Sequence, residues 1–284
     1  CRSLGASCEL VNKGTTEELC TWINRNDILP PTIEAWEDVL SPDYRYTPNN
    51  AISPPDRGVN IVGSASGSSG CVAPFFPIEF GVKLDEPAKC KIDTTRKNSF
   101  ESMNQFFQSG STYKYNHSQS LSLPSPSSLA SENITLINGG VMDLFVRCED
   151  KNGNPNTATF SFNFCVDDGP DKQPPLIVET DLINGAPISF NKTSIPVNVY
   201  VNEPVDCRWS KLDRTYDDME NQMSCRNSPL SQNARQLYPC STTLTGLKNK
   251  VSNDFYFRCE DQPHLAGTED EGNRNKNKQS YKFT

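Results

Sequence analysis

Two stretches of the chain alternate between apolar and polar residues with a period of two. The even-numbered residues of 78–84 are apolar, and so are the odd-numbered residues of 195–201. Successive side chains of a β-strand point to opposite faces, so this pattern predicts strands with one face on a hydrophobic core. The predicted inward positions are Ile78, Phe80, Val82, Leu84, Ile195, Val197, Val199 and Val201.

The two stretches belong to an internal repeat. Residues 78–90 correspond to residues 195–207 without a gap, and residues 144–150 correspond to residues 255–261. Each copy is bounded by cysteines, and closing strands are predicted at 158–162 and 279–283. Short strands separated by turns rich in Ser, Pro, Asn and Gly predict a mainly β protein with two tandem antiparallel sandwiches.

Proline pairs suggest where the modules begin. Pro54-Pro55 and Pro174-Pro175 precede the two repeats, which gives an N-terminal segment at 1–53 and sandwich domains at 54–173 and 174–284. Proline fixes φ and disfavours helix in the residue before it, so such pairs stiffen a junction. Within 1–53, Thr15 to Glu18 has a capping-box pattern that predicts a small helical or irregular cap.

Composition excludes some functions. The chain has 284 residues, of which 35% are hydrophobic, and a net charge of −8. A nucleic-acid partner is not expected, because phosphate binding needs clustered Lys and Arg. No apolar run approaches the ~20 residues of a transmembrane helix, so no transmembrane segment is expected. Removal of a signal peptide would leave Cys1 as the first residue.

The eleven cysteines indicate an oxidising compartment. There is no Cys-x-x-Cys, and the two histidines, His117 and His264, lie far apart in sequence, so disulfides are favoured over zinc sites. Disulfides persist outside the cytoplasm, which predicts an extracellular or cell-surface protein. Three glycosylation triplets agree with this location, at Asn116, Asn133 and Asn191.

The repeated motifs point to a family. Glu-Pro-x-x-Cys-Arg-Trp-Ser at 203–210, the tetrapeptides at 216–219 and 244–247, and Phe-Arg-Cys-Glu-Asp at 257–261 form a series that is partly retained in the first repeat. The series resembles immunoglobulin-like, fibronectin-type-III-like repeats in surface proteins of uncultivated bacteria and archaea. The resemblance covers about 230 residues, leaves 1–53 outside, and implies the fold rather than a role.

Equivalent positions in a repeat should make equivalent disulfides. This predicts two bonds, each joining an early strand to a late strand across the sandwich, and the other cysteines are paired by their place within a repeat or segment. The resulting pairs are Cys90–Cys148, Cys207–Cys259, Cys225–Cys240, Cys71–Cys165 and Cys8–Cys20. Cys1 is left over as an unpaired or anchoring residue, for an intermolecular bond or a lipid. The alternatives are a processed terminus, or a Cys1–Cys20 bond that leaves Cys8 outside the scheme.

No catalytic constellation emerges from the sequence. His117 and His264 are both expected in solvent-exposed loops rather than beside a nucleophile, so no enzyme activity and no cofactor are expected. Two oxygen-rich stretches, 150–154 and 269–271, could ligate Ca²⁺ but lack a complete calcium loop. An ordinary hairpin turn and a solvated acidic loop are favoured there, and no metal site is predicted.

The leading hypothesis is a structural subunit of an extracellular filament or surface appendage. Its partners would be other copies of itself, contacted through the N-terminal segment. The alternative is a cell-surface adhesin or lipoprotein that binds a glycan or protein through loops such as 108–132 and 262–278.

Overall fold

The computed structural model describes residues 1, 8–24, 26–63, 70–108, 110–125, 141–168, 170–233 and 235–284. The protein is mainly β, with 43% strand, several antiparallel sheets and multiple disulfides. It divides into two compact units. Unit 1 comprises 1–73, 78–121 and 125–168, and unit 2 comprises 74–77, 122–124 and 169–284. Among the described residues, no helix is long and apolar enough to cross a membrane.

The N-terminal residues form a hairpin instead of the predicted helix. Strand β1 (Cys8–Val11) pairs antiparallel with β2 (Leu19–Trp22). Thr15, expected to cap a helix, lies in the turn, where its hydroxyl donates to the Asn12 carbonyl. Asn12 and Gly14 both have positive φ, which a tight turn uses and a helix does not. The helix prediction was therefore wrong, because the same local pattern suits a side-chain-bonded turn.

Unit 1 contains one eight-stranded sheet. Its strand order is β3-β6-β9-β10-β5-β4, with β7 and β8 also paired to β6. All pairs are antiparallel except β5 with β10. The strands are β3 (Ile33–Ala35), β4 (Tyr44–Pro48), β5 (Arg57–Gly63), β6 (Ile78–Asp93), β7 (Gln105–Phe106), β8 (Lys114–Leu121), β9 (Val141–Asp150) and β10 (Phe160–Cys165). A 3₁₀ turn at Glu37–Val39 follows β3.

Unit 2 contains two four-stranded antiparallel sheets, with orders β11-β12-β16-β15 and β14-β13-β17-β18. The strands are β11 (Ile177–Thr180), β12 (Ser194–Val201), β13 (Val205–Ser210), β14 (Asn221–Gln222), β15 (Ser224–Cys225), β16 (Tyr238–Thr245), β17 (Phe255–Asp261) and β18 (Tyr281–Phe283). Short 3₁₀ turns occur at Tyr216–Asp218, Pro229–Ser231, Pro263–Leu265 and Glu271–Asn273. Buried residues of both sheets form one hydrophobic core, so unit 2 is a β-sandwich.

The alternating pattern gives the buried faces. Phe80 and Val82 on β6, and Val199 and Val201 on β12, are completely buried. Gly81, between Phe80 and Val82, is also buried, and a Cβ there would lie 2.4 Å from the carbonyl oxygen of His117 on the neighbouring strand β8. The close approach of β8 beside β6 therefore requires a glycine at this position.

Residues 1–53, predicted from the proline pairs to be a separate N-terminal segment, are part of unit 1. Strand β3 lies within the predicted N-terminal segment 1–53, yet it pairs with β6, with Ile33 opposite Leu84. In unit 2, β11 pairs with β12 in the same way, with Ile177 opposite Val201. The segment before β3 therefore corresponds to the segment before β11. Pro54-Pro55 instead lies between β4 and β5 of unit 1, because two additional strands follow β3 there.

Five disulfides are present among the described residues. Two of them, Cys90–Cys148 and Cys207–Cys259, join the equivalent positions of the repeat as predicted, and Cys71–Cys165 and Cys225–Cys240 join the pairs predicted within a single repeat. The fifth joins Cys1 to Cys20, so the expected Cys8–Cys20 bond and the unpaired Cys1 are corrected. In the antiparallel hairpin Cys20 lies opposite Leu10 rather than opposite Cys8.

The two central disulfides were predicted to cross the sandwich, but each joins neighbouring strands of the same sheet. Cys90 lies directly opposite Cys148 on the neighbouring strands β6 and β9, and Cys207 lies opposite Cys259 on β13 and β17. Their Cα atoms are 4.1 Å apart in both cases. This is the short spacing of a non-hydrogen-bonded antiparallel pair, which suits a bond within one sheet.

Removing the central bond of unit 2 should destabilise it. The Cys207–Cys259 bond closes a separation of 52 residues, and the Cys225–Cys240 bond one of 15. In the chain-entropy description, the double change Cys207→Ala/Cys259→Ala costs about 4 kcal/mol and Cys225→Ala/Cys240→Ala about 3 kcal/mol. Urea denaturation of the three proteins measures both losses. A Cys207→Ala/Cys259→Ala protein as stable as the wild type would contradict this prediction.

Candidate functional site

Three acidic residues of unit 2 meet at one end of its central strands. We call Asp171, Glu203 and Asp261 the acidic cluster. One carboxylate oxygen of each lies within 4.8 Å of those of the other two. Glu203 stands in the short turn between β12 and β13, and Asp261 is the last residue of β17, opposite Val205. The β13–β17 register therefore brings Asp261 beside the turn that carries Glu203.

Asp171 reaches the cluster from the segment that leads into β11. Its carbonyl oxygen accepts a hydrogen bond from the Asn275 side chain at 3.2 Å. Its Oδ1 accepts the backbone N–H of Gln173 at 2.9 Å, which shapes the turn before Pro174. These bonds fix the segment and leave Asp171 Oδ2 buried without a hydrogen-bond partner.

Glu203 is the most unusual member of the acidic cluster. Its exposure is 0%, and no donor meets hydrogen-bond geometry at either carboxylate oxygen, although Asp171 and the Asn202 amide lie close enough to influence its pKa. Burial raises the pKa of Glu203 well above its usual value, and the charges of Asp171 and Asp261 raise it further. A buried carboxylate without donors is costly, because its charge has lost water and gained nothing in return.

The other two members are also shifted towards protonation. Burial raises the pKa of Asp261 to about 6, even though both of its oxygens accept hydrogen bonds from Asn275. Burial likewise raises the pKa of Asp171. Among the described residues, no Lys or Arg forms an ion pair with any of the three. The site therefore has an excess of oxygen acceptors and of negative charge.

The guanidinium of Arg274 does not bind the carboxylates of the acidic cluster. Arg274 pairs with Asp206 and Glu260, and its Nε donates to the Asp261 carbonyl oxygen rather than to its carboxylate. The Arg274 side chain is nearly fully buried in this arrangement. It anchors the loop 262–278 onto β13 and β17, so this loop is not a freely variable surface.

An asparagine next to the acidic cluster connects the incoming segment to the central disulfide. Asn277 Oδ1 accepts the backbone N–H of Cys259 at 2.7 Å, and its amide donates to the Pro175 carbonyl. In unit 1, Asn156 accepts the N–H of Cys148 at 2.9 Å and donates to the Pro31 carbonyl at 2.6 Å. We call Asn156 and Asn277 the asparagine clamps. Because the two clamps bind the carbonyls of Pro31 and Pro175, the structural equivalent of Pro175 in unit 1 is Pro31 and not Pro55.

Unit 1 has acidic residues at the corresponding positions, in a different environment. Burial raises the pKa of Glu86 to about 7, and Asp150, Asp27 and Asp85 raise it further. Glu86 is only partly buried, whereas Glu203 is completely buried. Asp150 is buried, but both its oxygens accept hydrogen bonds from Asn154. Asp150 therefore braces a turn.

The two oxygen-rich stretches, 150–154 and 269–271, have different surroundings. The Asn152 amide donates to the Asn24 carbonyl at 2.6 Å, which ties it to the incoming segment of unit 1. Glu269, Asp270 and Glu271 are exposed in a loop.

The predicted glycosylation sites lie in different settings. Asn191 is exposed in a turn with positive φ, where its N–H is held by Asn249. Asn116 lies on β8 with its Oδ1 buried. Asn133 lies outside the described residues.

His117 is not in an exposed loop. It lies on β8 with 0% exposure, and its Nε2 is 2.8 Å from the Ala88 carbonyl oxygen. The ring of Phe107 packs beside it, with centroids 6.0 Å apart. The expectation of a solvated histidine was wrong, because residues 114–121 form a strand against β6 instead of a loop.

Sequence analysis missed the acidic cluster although it singled out two of its members. Glu203 and Asp261 belong to the repeated Glu-Pro and Cys-Glu-Asp motifs, which were read as signatures of the fold. The three positions are far apart in sequence, so no local spacing reveals them. Three sulfur atoms also converge, from Cys207, Cys225 and Cys240, but all three cysteines are in disulfides and offer no thiolate.

Comparison with protein-family models and with curated proteins found no match to this chain.

The asparagine clamp of unit 2 should contribute measurably to stability. The change Asn277→Ala leaves the Cys259 N–H and the Pro175 carbonyl without partners, and we expect a loss of about 1 to 3 kcal/mol. The neighbouring exposed Lys278 provides the control, and Lys278→Ala should stay within about 0.5 kcal/mol of the wild type. Urea denaturation measures both. If Asn277→Ala were as stable as Lys278→Ala, the side chain of Asn277 would not contribute to stability as predicted.

Buried His117 should make unit 1 sensitive to acid. Burial lowers its pKa to about 4, with Lys114 adding to the effect, whereas an unfolded chain has about 6.5. Between these values the unfolded state binds more protons, so stability is full above the unfolded pKa and falls as pH decreases towards the folded one. We expect a loss of about 2 to 3 kcal/mol from this residue between pH 7.5 and 4.5.

The variant His117→Gln keeps a donor for the Ala88 carbonyl but does not titrate. Its unfolding free energy should therefore fall less between pH 7.5 and 4.5 than that of the wild type. Parallel pH profiles for the two proteins would show that His117 does not carry this acid sensitivity.

Proposed function

We propose that the chain is a structural subunit of an extracellular filament or similar surface appendage, built from two disulfide-stapled, immunoglobulin-like sandwiches. The observation that carries the proposal is a pair of exposed apolar surfaces on different parts of the chain. The first is near the N-terminus and the second surrounds a cavity in unit 2. Large exposed apolar surfaces usually mark sites of protein association.

Several features support an extracellular sandwich protein. Five disulfides are present, which suits an oxidising compartment. Trp209 packs in the core of unit 2 with Cys207 and Cys259, and its Nε1 donates to Thr242 at 3.0 Å. A buried tryptophan beside a central disulfide is typical of immunoglobulin domains. The bond within one sheet is a departure from that pattern, in which the disulfide joins the two sheets.

The N-terminal apolar surface follows the hairpin β1–β2. Trp22 is 64% exposed, Ile28 82% and Leu29 68%. The hairpin itself is held to unit 1, because the Asn12 side chain binds both the N–H and the carbonyl of Tyr113. Large apolar side chains are thus presented from an anchored segment, which lowers the entropy cost of a contact.

The second apolar surface surrounds a cavity of about 860 Å³ in unit 2. Ile183 and Val251 line it and are 81% and 58% exposed, while Leu244, Phe255 and Phe283 from the core form part of its wall. Asn191 lies near this surface, next to Phe190 of an adjoining pocket. The cavity therefore exposes the hydrophobic interior of the sandwich at one end.

Two different apolar surfaces on one chain suit a heterologous contact. Such a contact joins one surface to a different surface of the next copy, and it leaves both surfaces open at the ends of the assembly. Repetition then gives a ring or a filament. We propose that the surface at Trp22, Ile28 and Leu29 docks into the cavity beside Ile183 of the next copy.

The proposal predicts complementation between two variants. Trp22→Ser removes one surface and Ile183→Ser the other, so each variant alone should remain monomeric. An equimolar mixture should form heterodimers, because each variant retains the surface that the other lacks. Sedimentation velocity of protein made without glycosylation measures this, with filaments of the wild type checked by negative-stain microscopy.

The control is Leu212→Ser, which changes another exposed apolar residue of unit 2 and should leave association unchanged. A wild type that stays monomeric at high concentration would reject the filament proposal. Unchanged association of both surface variants would reject the assignment of the surfaces.

The adhesin remains a second candidate because of the same cavity. Ligand sites commonly enclose about 300 to 1,000 Å³ of mostly apolar space. The loop 262–278 is held by Arg274, so the cavity is a better ligand site than this predicted loop. Anchoring as a lipoprotein through Cys1 is disfavoured, because its sulfur is bonded to Cys20.

A further inference from the structure

We propose that the acidic cluster of unit 2, formed by Asp171, Glu203 and Asp261, binds one Ca²⁺ ion. This goes beyond a structural role, since it gives unit 2 a dependence on a soluble cation. The proposal rests on the convergence of three carboxylates and, independently, on the unpartnered and fully buried side chain of Glu203.

The distances suit a calcium ion. Calcium binds oxygen at about 2.3 to 2.6 Å, so two of its ligands are separated by up to about 5 Å when they lie on opposite sides of the ion. One oxygen from each of the three carboxylates lies within 4.8 Å of the other two. These separations suit one ion that contacts all three carboxylates after small adjustments of their side chains.

The hydrogen bonding indicates that something else completes the site. Glu203 has 0% exposure and two oxygens without partners, and Asp171 Oδ2 is also buried and without a partner. Nearly all buried polar atoms in native proteins are satisfied. One proton shared between Glu203 and Asp171 would satisfy only part of this deficit. A cation would bind several of these oxygens and neutralise their charge at the same time.

The chemistry of the ligands selects the ion. The acidic cluster offers oxygen only, which suits hard cations, whereas zinc prefers nitrogen and sulfur. Mg²⁺ requires a near-ideal octahedron and retains several waters, while Ca²⁺ accepts irregular sets and bidentate carboxylates. Glu203, with both oxygens open, can serve as a bidentate ligand. Ca²⁺ is therefore the expected ion.

Binding would join three separate parts of unit 2. Asp171 lies in the segment before β11, Glu203 in the turn between the two sheets, and Asp261 at the end of β17. An ion held between them cross-links the start of the unit to both sheets. At the millimolar calcium of extracellular fluids, an affinity of about 10⁻⁴ to 10⁻³ M, as in extracellular modules, gives substantial occupancy.

The test is titration of the full chain with CaCl₂ at pH 7.5 after treatment with a chelator. Isothermal calorimetry should show one site, and saturating Ca²⁺ should raise the Tm by about 5 °C or more. The same concentration of MgCl₂ should produce a clearly smaller shift. Using the Ile183→Ser variant as well separates calcium binding from assembly, so failure of one proposal does not imply failure of the other.

The variant Glu203→Gln has nearly the same shape but lacks the buried charge. Its calcium affinity should fall at least about tenfold, and its Tm without calcium should equal or exceed that of the wild type, because a neutral amide avoids the cost of burying an ionisable carboxyl group. Glu179→Gln is the matched control, since Glu179 pairs with Arg235 on the same unit and is not a member of the acidic cluster. It should bind calcium like the wild type.

Two results would overturn the proposal. One is a wild type whose Tm does not respond to 10 mM CaCl₂ and which shows no binding heat, as expected if the carboxylates only share a proton. The other is unchanged calcium affinity in Glu203→Gln, which would place the ion elsewhere.

Discussion

The disulfide between the two central strands of each unit is the constraint on which the rest of the structure depends. Cys90 faces Cys148, and Cys207 faces Cys259, in buried positions of neighbouring antiparallel strands. Slipping such a pair by one residue would turn the core face towards water, and a bond between opposed residues forbids the slip. Each asparagine clamp accepts a hydrogen bond from the N–H of the later cysteine and donates one to the segment that precedes the first strand of the repeat. Register, core and the start of each unit are thereby fixed together.

The same strand register brings carboxylates together at one end of unit 2. With Cys207 opposite Cys259, Asp261 must lie opposite Val205, beside the turn that carries Glu203. The asparagine clamp brings in the segment that carries Asp171. In unit 1 the corresponding Glu86 stays partly exposed, so water can solvate its charge. In unit 2 Glu203 is closed off, and only a proton or a cation can compensate it. One framework therefore supports two different chemical environments.

Rigid modules and exposed apolar surfaces together account for the proposed structural role. Disulfides fix the strands, and an ion in the acidic cluster would add a further link within unit 2. One apolar surface extends from Trp22, at the end of the hairpin β1–β2, to Leu29, and the other surrounds the cavity of unit 2.

The sequence by itself determined the β-class of the protein, the buried faces of β6 and β12, and four of the five disulfides. Alternation is a local property that records which side of a strand is buried. Equivalent positions in the repeat predict two of these disulfides, and the place of the other cysteines within one repeat predicts the remaining two. Only the tertiary structure decided the rest. The pattern at Thr15 to Glu18 fits a helix cap or a turn, and pairing with β1 selects the turn. Pro31 corresponds to Pro175 only through the asparagine clamps, because the inserted strands β4 and β5 shift the spacing. The acidic cluster likewise joins residues far apart in sequence, since loops of any length can bring strand ends together and leave no local pattern.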